Sequence, residues 1–283
     1  MSVIQALILG IVQGLTEFMP ISSSAHLVIM PWAFGWKDPG LAFDLALHLG
    51  TLVALIWFFS TDWVRLARAG IASIVELKIN DADRRLAWLL VIGSIPGGIA
   101  GALGEGKIEE LFHEPSAPHR QEAMIGMAVI IALLGAALFV VERVARHLRT
   151  LDRVSLKDAA VIGLAQGLAI VPGVSRSGST ITAGLALGLR REAAARFSFL
   201  LAAPIIAGAG LKSLADVYGD LRSGAMAQAE LTVFAVGFAA AVVSGYLCIK
   251  FLLRFLQRNS TDIFVYYRWC LAAAVIILAL VRG

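Results

Sequence analysis

Glu17, Ser22, Ser23, Ser24 and His26 fall within ten residues, and Ser175, Arg176, Ser177, Ser179 and Thr180 within six. Carboxylate, hydroxyl, imidazole and guanidinium are the groups that phosphoryl transfer uses. His26 suits general acid–base or nucleophilic work. Ser23 is a candidate nucleophile, activated by His26 or Glu17. Arg176 matches phosphate oxygens with a two-pronged fork and would neutralise charge on the equatorial oxygens. Ser22, Ser24, Ser175, Ser177 and Thr180 would surround the phosphates.

The two clusters lie in stretches that copy one another: Gln13-Gly-Leu-Thr-Glu-Phe-Met-Pro-Ile-Ser-Ser-Ser-Ala-His26 and Gln166-Gly-Leu-Ala-Ile-Val-Pro-Gly-Val-Ser-Arg-Ser-Gly-Ser-Thr180. Each opens on Gln-Gly-Leu, passes a proline and ends in hydroxyls. Each hydroxyl run stands where a helix restarts, so Ser22–Ser24 and Ser177–Ser179 read as N-caps with free backbone N–H groups. Helix N-termini attract phosphate. In the alternative, the serines only allow close helix packing and Arg176 only pairs with Glu17.

Charge sharpens the ligand. Two helix ends of about +0.5 each and Arg176 sum to roughly +2, and an ionised Glu17 lowers this to about +1. A diphosphate ester carries roughly −2 to −3. A divalent cation, Mg²⁺ or Ca²⁺, held by Glu17 and phosphate oxygens would close the gap, as would a protonated His26. Asp44 and His48 share one helix face and read as support behind the site or a buried couple. Gln13 and Gln166 hold matching places in the two copies. His113, His119 and His147 read as solvated loop residues.

What must position these groups is a bundle of membrane helices. The chain of 283 residues is 59% hydrophobic and 16% charged, with mean hydropathy +0.81. A soluble domain would carry about 25% charged residues. Apolar runs at Leu41–Phe59, Leu86–Leu103, Met124–Val141, Phe197–Leu211, Leu231–Ile249 and Trp269–Val281 approach a bilayer's width. No basic residue precedes Val3–Val12, which speaks against a cleaved leader. Cys248 and Cys270 read as core fillers.

The likeness of the halves continues beyond the polar stretches: Phe43-Asp44 matches Phe197-Ser198, Gly93 matches Gly237, and Gly101 matches Gly245. We expect an all-α polytopic membrane protein, one domain over 1–283, with repeats at about 1–150 and 151–283. Each half would hold a re-entrant helix pair (Val3–Val12 with Ser24–Trp32; Ala159–Ile170 with Thr180–Leu189) and three spans. An odd number of spans inverts one half against the other. Lys plus Arg number five in Ser60–Arg85, two in Gly104–Glu122, five in Glu142–Lys157, two in Lys212–Glu230 and three in Lys250–Thr261. This alternation places both termini outside the cytoplasm, with the re-entrant tips meeting near the midplane.

At these residues the chain resembles the undecaprenyl-diphosphate phosphatase, or bacitracin-resistance, family of bacterial inner membranes. The first motif stands as Gln13 to Glu17, then Pro20-Ile-Ser22-Ser23-Ser24-Ala25-His26. The second stands as Pro172-Gly-Val-Ser175-Arg176-Ser177-Gly-Ser-Thr180, and Phe43-Asp44 matches as well. The resemblance implies hydrolysis of a polyprenyl diphosphate, recycling the wall-polymer lipid carrier. It implies catalytic roles for Glu17, Ser23, His26 and Arg176, a divalent cation, a homodimer, and a site open to the periplasm. No nucleic-acid partner is expected. Gln13 departs from the glutamate of many members, so Glu17 becomes the essential carboxylate and a two-carboxylate metal site falls into doubt. Transport is the rival class, most sharply as a flippase of the same phospholipid, because inverted repeats with broken helices also build transporters.

Overall fold

We describe the protein from a computed structural model, which covers residues 1–112, 120–223 and 228–282. Eleven α-helices run along these residues: α1 (Val3–Phe18), α2 (Ser23–Phe34), α3 (Leu41–Phe58), α4 (Ser60–Glu76), α5 (Ala82–Phe112), α6 (Arg120–Val144), α7 (Leu156–Gly167), α8 (Arg176–Ala186), α9 (Arg191–Ser223), α10 (Gln228–Leu256) and α11 (Asp262–Arg282). Short 3₁₀ turns stand at Leu151–Arg153 and Leu168–Ile170. Among the described residues five helices, α3, α5, α6, α10 and α11, are long and apolar enough to cross a bilayer. The chain is an all-α polytopic membrane protein.

Local chemistry repeats along the chain. Ser2 caps α1 and forms a reciprocal box with Gln5; Ser155 caps α7 and forms the same box with Asp158. The packing repeats with partners exchanged. α1 lies on α10 and α7 lies on α5, while α3 packs on α10 and α9 on α5. Glycine permits the closest approaches. A Cβ on Gly10 would stand 2.3 Å from the Gly237 carbonyl oxygen, and one on Gly163 would stand 2.4 Å from that of Gly93. Small residues at helix crossings allow such contacts within membranes. Gly163→Ala should therefore cost about 1–3 kcal/mol of overpacking. A thermal melt in detergent checks this, with Gly98→Ala, whose Cβ meets open space, as the unperturbed control.

The first half departs from three spans and a loop. Ser60–Glu76, expected within a charged loop, forms α4. Asp62, Arg65, Arg68 and Glu76 interrupt its apolar pattern. Asp62 nonetheless accepts from Arg65 at 2.8 Å and ties α4 to Arg196 of α9 at 2.7 Å. The first hairpin is also longer than expected: α1 continues through Gln13 and Glu17 to Phe18, so both side chains sit on a helix. Cys248 is buried, but Cys270 is exposed on the bundle's surface. His147 is half-buried rather than solvated, its Nε2 3.0 Å from the Glu142 carbonyl oxygen. His113 and His119 lie outside the described residues.

Candidate active site

Glu17 is the hub on which the two polar stretches converge. From the last turn of α1 its Oε2 accepts from Ser23 Oγ at 2.6 Å and from Gln13 Nε2 at 3.0 Å. Its Oε1 accepts from Arg176 Nη2 at 2.9 Å, across 159 positions of sequence. His48 Nε2, from α3, stands 3.5 Å from Oε2. Arg176 Nη1 donates to the Ser198 carbonyl at 3.1 Å, which fixes the guanidinium from α9.

Two strained N-caps aim these groups. Ser22 and Ser175 hold φ of 77° and 68°, left-handed values that cost a serine on the order of 1–3 kcal/mol. Each hydroxyl accepts from the N–H three residues on, Ala25 or Gly178, and each lies 3.3 Å from the hydroxyl two residues on. Ser23 and Arg176 are thus equivalent first residues of α2 and α8, and both turn to Glu17. The cap of α8 is Ser175 rather than the expected Ser177–Ser179. Ser177 Oγ instead donates to the Met19 carbonyl at 2.8 Å, stitching one tip to the other.

A cavity of about 640 Å³ opens on this cluster. Glu17, Ser23, Ser24, His48, Gln166, Ser175 and Arg176 contribute its polar lining, and Leu41, Leu45, Pro204, Ile205 and glycines of α5 its apolar wall. Three expected phosphate ligands are not on it. Ser22 and Ser177 are buried at the tips, and Thr180 donates to the Arg176 carbonyl at 2.7 Å with its Oγ1 2.6 Å from Ser198 Oγ. Ser179 donates to the same carbonyl at 3.0 Å.

The two histidines exchange places relative to expectation. His26 is 5% exposed and lies outside the cavity lining. Its Nδ1 donates to the Ser22 carbonyl at 2.6 Å, and its Nε2 lies 2.7 Å from Tyr267 Oη. His48 lines the cavity, its Nδ1 donating to the Asp44 carbonyl at 2.7 Å. A carbonyl only accepts, so each Nδ1 carries its hydrogen and Nε2 is the working nitrogen. Asp44 is buried behind His48. The matched glutamines differ too. Gln13 gives its amide to Glu17, whereas Gln166 lines the cavity with neither amide atom bonded.

Profile comparison matches residues 6–274 to the family described as Bacitracin resistance protein BacA. The chain belongs to the BacA family. Among similar BacA relatives, the undecaprenyl-diphosphatase of Thermomicrobium roseum is 47% identical over 279 residues, covering 98% of both chains. That of Moorella thermoacetica is 46% identical over 98% of this chain and 97% of its own. That of Caldicellulosiruptor bescii is 43% identical over the whole of both.

For a divalent cation the cavity offers a single carboxylate, Glu17, among the described residues. Among the described residues no three His, Cys, Asp or Glu side chains converge. Glu17 Oε1 accepts from Arg176, and Glu17 lines the cavity. That donor set suits Mg²⁺ in its usual mode, with one or two carboxylates and substrate phosphates completing the shell. Ser198, Tyr267 and Arg268 also serve this region and escaped the sequence reading. Ser198 carried a signal as the repeat match of Asp44, and Arg268 as a charge at the edge of the apolar run Trp269–Val281.

Proposed function

We propose that this chain is an undecaprenyl-diphosphatase, an integral-membrane enzyme of the bacterial inner membrane. It hydrolyses undecaprenyl diphosphate to undecaprenyl phosphate and inorganic phosphate, returning the lipid carrier to wall synthesis. One observation carries the reading: a cavity-lining hydroxyl, Ser23, donates to Glu17 at 2.6 Å while an arginine holds the carboxylate's other oxygen. The relatives' names support it. A carrier protein has no use for an activated hydroxyl, so the hydrolase reading is preferred to transport.

The terminal phosphate sits against the first turns of α2 and α8, where N–H groups lack intrahelical acceptors. Arg176 spans its equatorial oxygens. Ser23 Oγ attacks phosphorus as Glu17 Oε2 takes its proton, and the bond to the bridging oxygen breaks, releasing undecaprenyl phosphate. Water then attacks the phosphoserine: once the first proton has passed on, Glu17 Oε2 takes one from the water and returns one to the departing Ser23 Oγ, which regenerates the serine and frees inorganic phosphate. His48 Nε2, beside the same oxygen, is the next acceptor for that first proton. His26, held between Ser22 and Tyr267, positions α2.

Mg²⁺ or Ca²⁺, held by Glu17 and the diphosphate oxygens, would offset the negative charge of the substrate. Gln13→Glu would set a second carboxylate where an amide now donates to Glu17. Turnover of this variant should depend more steeply on added Mg²⁺ than that of the natural chain. A cation titration from an EDTA baseline checks this; an unchanged requirement would show that position 13 takes no part in cation binding. Loop charge supports a periplasmic opening. The overall reading is tested by phosphate release from a polyprenyl diphosphate by purified protein in detergent with Mg²⁺ or Ca²⁺. No release would overturn it.

A further inference from the structure

Arg268 is the largest fully buried side chain in the described residues, at 1% exposure in the second turn of α11. Its Nε donates to the Pro20 carbonyl at 2.5 Å and its Nη2 to the Val174 carbonyl at 3.3 Å. Those carbonyls come from the two different tips. Pro20 stands two residues before the Ser22 cap, and Val174 one before the Ser175 cap. Nη1 has no partner, and no carboxylate among the described residues pairs with the guanidinium.

Burying an unpaired cation is expensive. This one also stands where the field opposes it. A Cβ on Gly178, in the first turn of α8, would lie 2.4 Å from Nη2, so the guanidinium abuts the positive end of that helix. Two neutral donors would satisfy the carbonyls without that cost. What a guanidinium adds is a rigid planar fork reaching two backbones at once, and a positive charge beside a site meant for an anion. With Arg268 counted, the charge near the tips rises from about +1 to about +2, within reach of a diphosphate's charge.

The structure assigns Arg268 as a positioning residue that joins the two hairpin tips and lends its charge to the diphosphate site. By holding Pro20 and Val174 together it sets the spacing of Ser23 and Arg176, the two groups that meet on Glu17. Tyr267, the adjacent residue, holds His26 on the same tip. The assignment rests on the phosphatase reading for its kinetic part only.

Arg268→Met and Arg268→Lys separate the fork from the charge. Two quantities are read in detergent: kcat for phosphate release, and the rise in melting temperature given by inorganic pyrophosphate. Arg268→Met should lower kcat about 100-fold, the effect of misplacing reactants by about an ångström, and should lose the pyrophosphate shift. Arg268→Lys should keep that shift yet recover less than about a tenth of kcat, because an ammonium lacks the fork. Wild-type kcat in Arg268→Met, or identical behaviour of the two variants, would overturn the assignment. Should Arg268→Met not fold, Gly178→Ala displaces the guanidinium without removing it. It should then show reduced kcat with the pyrophosphate shift intact, and a natural kcat there overturns the assignment. If the unaltered chain releases no phosphate, the phosphatase reading fails by itself. The pyrophosphate shift, present in the unaltered chain and absent in Arg268→Met, still decides whether Arg268 charges the site.

Discussion

Glu17→Gln should lower kcat for phosphate release by about 10²–10⁴-fold, the range that a positioned general base supplies. The exchange is close to isosteric, and the amide oxygen can still accept from Arg176. What it loses is the acceptor for the Ser23 proton. Oε2 now takes hydrogens from both Ser23 and Gln13, and an NH₂ group there would face two donors. The substitution also removes the only carboxylate lining the cavity among the described residues. Repulsion of the diphosphate falls while a ligand for the cation is lost, so the two effects on KM oppose each other. A collapse of kcat far larger than any change in KM is the expected pattern. Near-natural kcat would show that the proton leaves Ser23 by another path.

Arg176→Ala should lower kcat by about 10³–10⁵-fold, the range of arginine fingers in phosphoryl transfer. It should also destabilise the protein, by about 3–5 kcal/mol, since it strips a buried carboxylate of its cation. Stability and turnover can be told apart. In the double variant Glu17→Gln, Arg176→Ala the orphaned charge is gone, so the melting temperature should recover while activity stays absent. A single variant with natural turnover would remove Arg176 from the site. A double variant no more stable than Arg176→Ala would show that the Ser198 contact, and not the ion pair, carries the stability.

Much of this was legible in residue order. The hydropathy of the runs dictated membrane helices, and the copied stretches with their capping serines marked where helices break and restart. The pairing of Gly93 with Gly237 on sequence reappears as a pair of backbone contacts, because only glycine lets two helices come that close. The reading of Ser60–Glu76 as loop failed because charges interspersed among its apolar residues keep it from reading as a span, although those apolar residues recur at helical spacing. Ser177 and Thr180 turn to carbonyls rather than to the cavity, because a hydroxyl's type does not say which carbonyl it will meet.

The residues of Gln13–His26 and Ser175–Thr180 by themselves pointed to phosphate chemistry within a membrane: their chemistry is set by type, and their proximity within each cluster by local spacing, while the meeting of Glu17 with Arg176 across 159 positions is tertiary. Which of them face the cavity was decided by tertiary structure alone. His26 and His48 each bond a carbonyl four residues back, so nothing in local spacing separates them. The rotation of α2 against α11 sends His26 to Tyr267, and α3 brings His48 to Glu17. Arg268 lies still further from any local rule. Its partners are backbone carbonyls 248 and 94 positions away, and a carbonyl has no residue type to announce it.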